Sequence, residues 1–423
     1  MTQTVVGKGV REGFLAPDVV REVVRDGLNA LPVDGRRVLV IIPDGTRTMP
    51  MPLLFDIIDD TIGRRTKALD FLVALGTHSP MSDDELGRLI GRPVSNGMAG
   101  ERRIYNHTWD DPASFAALGT IPADEIATLT GGLLTQDVPV ALNRLAIEYD
   151  HVLICGPVFP HEVAGFSGGT KYLFPGIAAP EIIHFTHWLG ALVTSYDIIG
   201  TLDTPVRAVI NRAATLLPTP LSLIALVVSH DGVAGAYVGD IHAAWRQAAL
   251  LSSRRHIAWV DRPFDRMLSI MPEMYDDLWT AAKGAYKAEP AIADGGEVVI
   301  FAPHVREVSY VHGRLIDEIG YHCRDYFLKQ WDRFGQYPGG IIAHSTHVKG
   351  LGTYDAGSGV EHPRIRVTLA TGIPEERCRR INLGYRDPAT IDPDAWVAEA
   401  QDRARVVPRA GEFLFRVGTA PEQ

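Results

Sequence analysis

The chain repeats one local pattern: a short, continuously apolar run, an amphipathic stretch, then another apolar run. The clearest runs are Val38–Ile42, Leu69–Leu75, His151–Cys155, Leu221–Val228, Arg266–Ile270, Val298–Ala302, Gly340–Ala343 and Ile365–Ala370. A strand with one wet face alternates apolar and polar residues. A strand of a parallel sheet is covered on both faces and reads as an unbroken apolar run. Between the runs, Val19–Leu31, Pro180–Val193 and Thr204–Leu217 read as amphipathic helices. The pattern predicts an α/β fold built on buried parallel strands.

At 423 residues the chain is too long for one ordinary core. DRPFDR, residues 261 to 266, opens a fresh series of strand, helix (Asp276–Ala291) and strand. Two α/β domains are therefore expected, 1–262 and 263–423. The closing segment Gly411–Val417 forms a strand or a helix that packs back on either domain, and the sequence leaves both open.

A net charge of −10 speaks against a nucleic-acid or anionic-membrane partner. Cys155, Cys323 and Cys378 are too few and too scattered for a disulfide framework or a cysteine-built metal site. A reducing cytoplasm is the simpler expectation. The N-terminal stretch has no long apolar block of the kind a secretion signal carries. The longest uncharged run, Ala213 to Ser229, contains Pro218 and Pro220 and reads as loop plus buried strand rather than a membrane span.

The residues just past the strands are more telling. Val38–Ile42 runs into Pro43-Asp44-Gly45-Thr46-Arg47, Leu69–Leu75 into Gly76-Thr77-His78, and His151–Cys155 into a turn ending at His161. In open α/β sheets ligands bind past the carboxyl ends of the strands. Strands sharing one direction would bring Asp44, Arg47, His78 and His161 to one crevice.

Gly165-Phe166-Ser167-Gly168-Gly169-Thr170-Lys171 fails the phosphate-loop pattern, because no Ser or Thr follows the lysine. Its glycines still permit positive φ and close approach of a ligand to backbone. The bland alternative is a tight turn with a surface lysine. His78 and His161 are candidate general bases, since imidazole titrates near neutrality. A histidine bonding a turn backbone is the commoner fate of either alone. His184 and His187 share a helical face at a spacing of three, so one metal could take one or both. His344 and His347 repeat that spacing after an expected strand and read as turn residues or secondary pocket lining. An Asp44–Arg47 turn can grip a phosphate or simply close on itself. Trp279, Thr280 and Lys283 share a face of the expected helix, where Lys283 can hold a carboxylate or point into solvent.

Taken together, PDGTR (43–47), GTHSPMSDDEL (76–86), PHEVAGFSGGTKYLFPG (160–176) and HFTHW (184–188) resemble the lactate racemase family, whose members carry a nickel-pincer nucleotide. DTPVR (203–207) and the 276–291 stretch are similar more weakly. The resemblance implies an isomerase with two α/β domains and an active site in the cleft between them. The first domain would bind cofactor and carry catalysis, and the second would cap the substrate. It implies that Lys171 is the covalent attachment point of the cofactor, a pyridinium mononucleotide with sulfur donors and nickel. It implies His187 as the nickel ligand and His78 with His161 as the paired acid–base groups. Asp44, Arg47 and the backbone of Gly168 and Gly169 would bind the cofactor. Lys283 would hold the substrate carboxylate, with Trp331 in the pocket. Lactate-acting members resemble Tyr-Gln where this chain has Trp279-Thr280. The implied substrate class is therefore 2-hydroxy acids at large, sugar-derived ones included. The implied partners are that small molecule and the proteins that make the cofactor; oligomeric state is open.

The chemistry suits such a set. The carbinol hydrogen of a 2-hydroxy acid is weakly acidic, so moving it as hydride avoids a carbanion. That route needs two bases, a hydride acceptor and a cationic clamp, and the hydride chemistry belongs to the cofactor. The competing readings are a pyridine-nucleotide-dependent 2-hydroxyacid dehydrogenase, which lacks its GxGxxG after the first strand, and a non-catalytic nucleotide-binding protein of the same fold.

Overall fold

The computed structural model describes residues 5–398 and 403–420. The chain is α/β and divides into two compact units. The first comprises residues up to 159, 166–183 and 205–255; the second comprises 160–165, 184–204 and residues from 256 onward. Two short excursions, 160–165 and 184–204, thus cluster with the second unit. No helix among the described residues is long and apolar enough to cross a membrane.

Among the described residues the first unit holds an eight-stranded sheet. Leu221–Ser229, His151–Pro157, Arg37–Ile42, Ala68–Val73 and Arg102–Asn106 lie side by side in parallel. Gly232–Gly239 and Val5–Gly9 extend one edge antiparallel, and Met98–Ala99 the other. Val38, Val40 and Ile42 pack into one core with Leu28 and Phe55, from helices Pro17–Asn29 and Met51–Ile62. Leu39 and Ile41 point to the opposite face by the two-residue period and are equally sealed at 0% exposure. Burial on both faces is why the run lacks alternation. Ile41→Ala is expected to cost about 2–5 kcal/mol. That would appear as a lower denaturant midpoint at unchanged slope; an unchanged midpoint would contradict this account of the sheet.

In the GTHSPMSDDEL stretch, SDDEL starts a helix. Ser82 caps Asp83–Ile90 in a capping box with Glu85, and Gly91, at φ 73°, ends it.

The second unit has, among the described residues, a five-stranded sheet ordered Gly384–Tyr385, Arg366–Thr371, Ile292–Ala302, Phe264–Ile270 and Ala404–Val407, all parallel. The closing segment supplies strand Leu414–Val417, which pairs in parallel with Ile257–Val260 inside this unit.

Two expectations fail here. Gly340–Ala343 is not a strand but the start of helix Gly339–Lys349, whose residues from Gly340 to Lys349 are all buried. A helix buried on every side shows no 3.6-residue apolar stripe, so a short apolar piece of it reads like a buried strand. His344 and His347 therefore lie in a buried helix, not in a turn. Asp276–Ala291 is not one helix but three short pieces, Leu278–Ala281, Lys283–Tyr286 and the 3₁₀ turn Glu289–Ala291.

His107, His151 and His347 are buried, and burial pushes each ring down to about 4 from an ordinary 6.5. Their folded-state values are depressed, so their contribution to stability is fully present above pH 6.5 and fades as pH falls toward 4. Thermal midpoints should drop across that window, and His151→Gln should flatten part of the slope. A midpoint constant from pH 7 to 4.5 would contradict this.

Candidate active site

Strands Arg37–Ile42 and Ala68–Val73 run parallel with Ile42 opposite Val73. The chain therefore leaves both on the same sheet edge, and the PDGTR and GTH turns meet there. The His78 Nδ1 lies 2.5 Å from Asp44 Oδ2. Thr46 donates to Asp44 Oδ1 from its amide at 3.0 Å and from its hydroxyl at 2.6 Å. Arg47 donates to the Thr46 hydroxyl at 2.5 Å. Burial alone would raise the Asp44 carboxyl; the His78 ring, the Arg47 charge and the Thr46 donor outweigh it and hold the group well below the usual carboxylate range. A permanent anion at Nδ1 fixes the His78 proton there and leaves Nε2 as the basic nitrogen.

The glycine loop belongs to the same unit. Gly76 of the GTH turn donates its amide to Gly176 at 2.9 Å. Gly168 (φ 80°) and Gly169 (φ 60°) are left-handed, and Lys171 sits on the adjoining 3₁₀ turn Gly169–Tyr172. Buried Arg207 stitches the loop from beneath, donating to the Phe166 carbonyl, to Gly168 O at 3.3 Å and to the Thr170 hydroxyl at 3.4 Å. Its guanidinium lies 4.4 Å over the Trp245 ring, and Trp245 donates to Ser167 O at 2.9 Å. Burial lowers the Arg207 value to about 9, which still leaves it charged at neutrality. Sequence reasoning assigned no role to Arg207 or Trp245. DTPVR contained the arginine, but its target, three loop groups some forty residues upstream, is visible only in the fold. Arg207→Gln should loosen the loop and lower stability by about 3–5 kcal/mol, since buried carbonyls lose their charged donor. Increased proteolysis near residues 166–172 would check this; a wild-type digestion pattern would contradict it.

The remaining candidates lie in the second unit. His161 Nδ1 accepts the Val163 amide at 3.1 Å and stands 3.5 Å from Glu162 Oε2. His184 and His187 are half-buried on helix Pro180–Val193. Helix Gly339–Lys349 approaches them closely: a Cβ on Gly340 would lie 3.1 Å from His184 Nδ1 and 4.0 Å from His187 Cβ. Trp279 stacks on His344 at 3.9 Å and leans on His312 at 4.7 Å, while Tyr321 Oη lies 3.3 Å from His344 Nε2. Burial first, then the charges of His347, His312 and His187, hold His344 well below its ordinary value, so the ring is neutral. Thr280 is buried in the helix that Asp277 caps, donating its amide at 3.0 Å and its hydroxyl at 2.9 Å to Asp277 Oδ1. Lys283 Nζ lies 4.1 Å over the Tyr275 ring. Trp331 stacks on Trp188 at 5.0 Å and is 41% exposed. Asp44, Arg47 and His78 thus cluster with the Gly168–Lys171 loop in one unit, and Trp279 joins the His187–His344 helix pair in the other. The His312 and His344 walls of Trp279 went unassigned, because aromatic stacking across elements leaves no sequence signal.

Among the described residues no group of three or more His, Cys, Asp or Glu side chains could hold a metal ion. A metal at His187 would need most of its donors from a bound organic group.

The chain is similar to known proteins in sequence and fold. Residues 19–198 fit the lactate racemase N-terminal domain. Over 273 residues the chain is 25% identical to a lactate racemase of Thermoanaerobacterium thermosaccharolyticum, covering 63% of this chain and 60% of that protein. Over 287 residues it is 25% identical to a lactate racemase of Lactiplantibacillus plantarum, covering 66% and 62%. The match thus spans about three-fifths of the length of these relatives. A crystal structure of a Thermotoga maritima protein superposes with a TM-score of 0.88 at 32% identity, covering 97% of this chain and all of that one. The lactate racemase apoprotein of T. thermosaccharolyticum shares the fold at a TM-score of 0.72 and 18% identity, covering 95% and 93%. Residues 19–198 thus resemble the N-terminal domain of lactate racemases, and the chain shares the fold of a lactate racemase apoprotein.

Proposed function

We propose that this chain is a racemase or epimerase that inverts the C2 carbinol centre of a 2-hydroxy acid. The observation that carries the reading is the 2.5 Å Asp44–His78 pair at the carboxyl edge of two adjacent parallel strands. It presents an oriented imidazole where α/β folds bind ligands. The likeness to lactate racemases supports the reaction class.

The residues fit the nickel-pincer nucleotide that the family implies. His187 offers one imidazole, Lys171 an amine beside a left-handed glycine pair, and no protein-only metal cluster competes among the described residues. One nitrogen donor beside soft donors of the bound group suits nickel. When bound, that group would exchange hydride with the substrate carbon, which passes through a planar 2-keto acid. The protein does the rest. Arg47 and the amides of Gly168 and Gly169 hold the nucleotide end. Lys283 grips the substrate carboxylate. His78 takes the hydroxyl proton at Nε2, and His161 serves the opposite enantiomer. Asp44 acts through His78 as a positioning residue. Trp279, held between two histidine rings, faces the substrate side chain. Thr280, committed to Asp277, shapes that wall without offering its proton. The partners are the small hydroxy acid and the proteins that make the cofactor, and a cytoplasmic setting accords with both.

Asp44→Asn should lower kcat by about 10²–10⁴ with little change in KM, because the ring loses its fixed tautomer. A kcat within twofold of wild type would remove Asp44 from the mechanism. The decisive screen uses protein co-expressed with cofactor-making enzymes, a panel of 2-hydroxy acids, and chiral chromatography. Nickel-loaded protein that leaves every member stereochemically unchanged would end the proposal.

A further inference from the structure

Helices Pro180–Val193 and Gly339–Lys349 pack side by side, with Gly340 against His184 and His187. Near the far ends of both, in the second unit, lies a small pocket lined by Ala191, Thr194, Ser195, Arg324, His347 and Gly350–Gly352 among others. Two observations there are independent. His347 is 3% exposed, and its Nε2 is sealed with no hydrogen-bond partner among the described residues. Native structures seldom leave such an atom unsatisfied. Arg324 is half-buried and donates to the Leu192 carbonyl, yet makes no salt bridge among the described residues. A guanidinium has five donors in a planar fork shaped for an oxyanion.

The neighbouring carboxylates are already committed. Glu289 accepts the Leu351 amide at 2.8 Å, Asp197 accepts the Thr194 hydroxyl at 2.8 Å, and Asp325, which also feels the Arg324 charge, accepts the Tyr354 amide at 2.7 Å and pairs with Lys329 at 2.9 Å. The pocket wall therefore presents one cation without a salt bridge among the described residues, one neutral imidazole nitrogen and the Ser195 hydroxyl. Nothing in the proposed reaction uses any of them.

We infer that this pocket is a second ligand site, which takes a small oxyanion, a carboxylate or a phosphate group, with Arg324 as its fork and His347 Nε2 as a directing hydrogen bond. The ligand spans the guanidinium with two oxygens and meets the imidazole with a third polar atom. The inference does not rest on the racemase reading, because binding at Arg324 requires neither cofactor nor turnover.

The test uses the full chain without cofactor. Calorimetric titration is run separately with inorganic phosphate and with acetate. Wild type should bind at least one of them. Arg324→Gln should weaken that binding about tenfold or more, since a charge-assisted bidentate contact is lost. Arg324→Lys should recover only part of it, and His347→Gln should weaken it by a smaller factor. Lys283→Gln, altered at the proposed substrate clamp, should bind as wild type does, which separates the two sites. Binding of phosphate alone assigns the ligand as a phosphate group, and binding of acetate as a carboxylate. Wild type that binds neither anion, or Arg324→Gln and Arg324→Lys proteins that both bind like wild type, would overturn the site. Loss of binding in Lys283→Gln alone would move the anion to the substrate position and overturn it equally.

Discussion

Replacing either His78 or His161 with alanine should abolish stereochemical interconversion while nickel stays bound. Each positioned base contributes roughly 10²–10⁴ in rate, and the two serve opposite faces of the planar intermediate, so neither substitutes for the other. Their settings differ in a way that makes the test sharper. His78 Nδ1 faces a buried carboxylate at 2.5 Å, whereas His161 Nδ1 accepts a backbone amide at 3.1 Å. With Nδ1 protonated, His78 Nε2 is ready to accept a proton. With Nδ1 accepting the Val163 amide, the neutral His161 ring carries its proton on Nε2, so the two rings are held as opposite tautomers. Nickel is proposed at His187, so metal analysis should return wild-type content in both variants. Retained racemisation in either, monitored by chiral chromatography, would remove the two-base scheme. Loss of nickel along with activity would instead place that histidine on the metal.

Lys171→Ala should prevent covalent attachment of the cofactor altogether. The lysine comes after two glycines in left-handed conformation on a loop held from below by Arg207 and Trp245. A side chain presented by an anchored turn loses little entropy in reaching a fixed partner. Attachment at Lys171 needs the amine as nucleophile, so Lys171→Arg, which keeps the positive charge but not the amine, should fail as well. Intact-protein mass spectrometry after co-expression with cofactor-making enzymes reads the result directly. A full adduct on Lys171→Ala or on Lys171→Arg would contradict the assignment.

The sequence carried much of the fold because burial on both faces writes itself into composition. The runs at Val38–Ile42, His151–Cys155 and Leu221–Val228 all became central parallel strands. The same signal misled at Gly340–Ala343, where a helix sealed on every side left the same unbroken apolar run. The single helix expected at 276–291 also failed, because Ala282 and Lys287–Ala288 join the pieces without Gly or Pro, although Gly284 and Pro290 lie close by.

At the site, the sequence by itself determined which chemical groups exist and which strand each one trails, since motif spacing along the chain is a local property. Only the tertiary structure decided what those groups touch. It set the Asp44 carboxylate on His78 rather than leaving the turn closed by Asp44 and Arg47 alone. It turned Thr280 inward to Asp277 and walled Trp279 with His312 and His344. It ran Arg207 under the glycine loop. Hydrogen bonds and ring stacking act over a few ångströms between residues far apart in sequence, so register between strands and contact between helices must be fixed before such partners can be known.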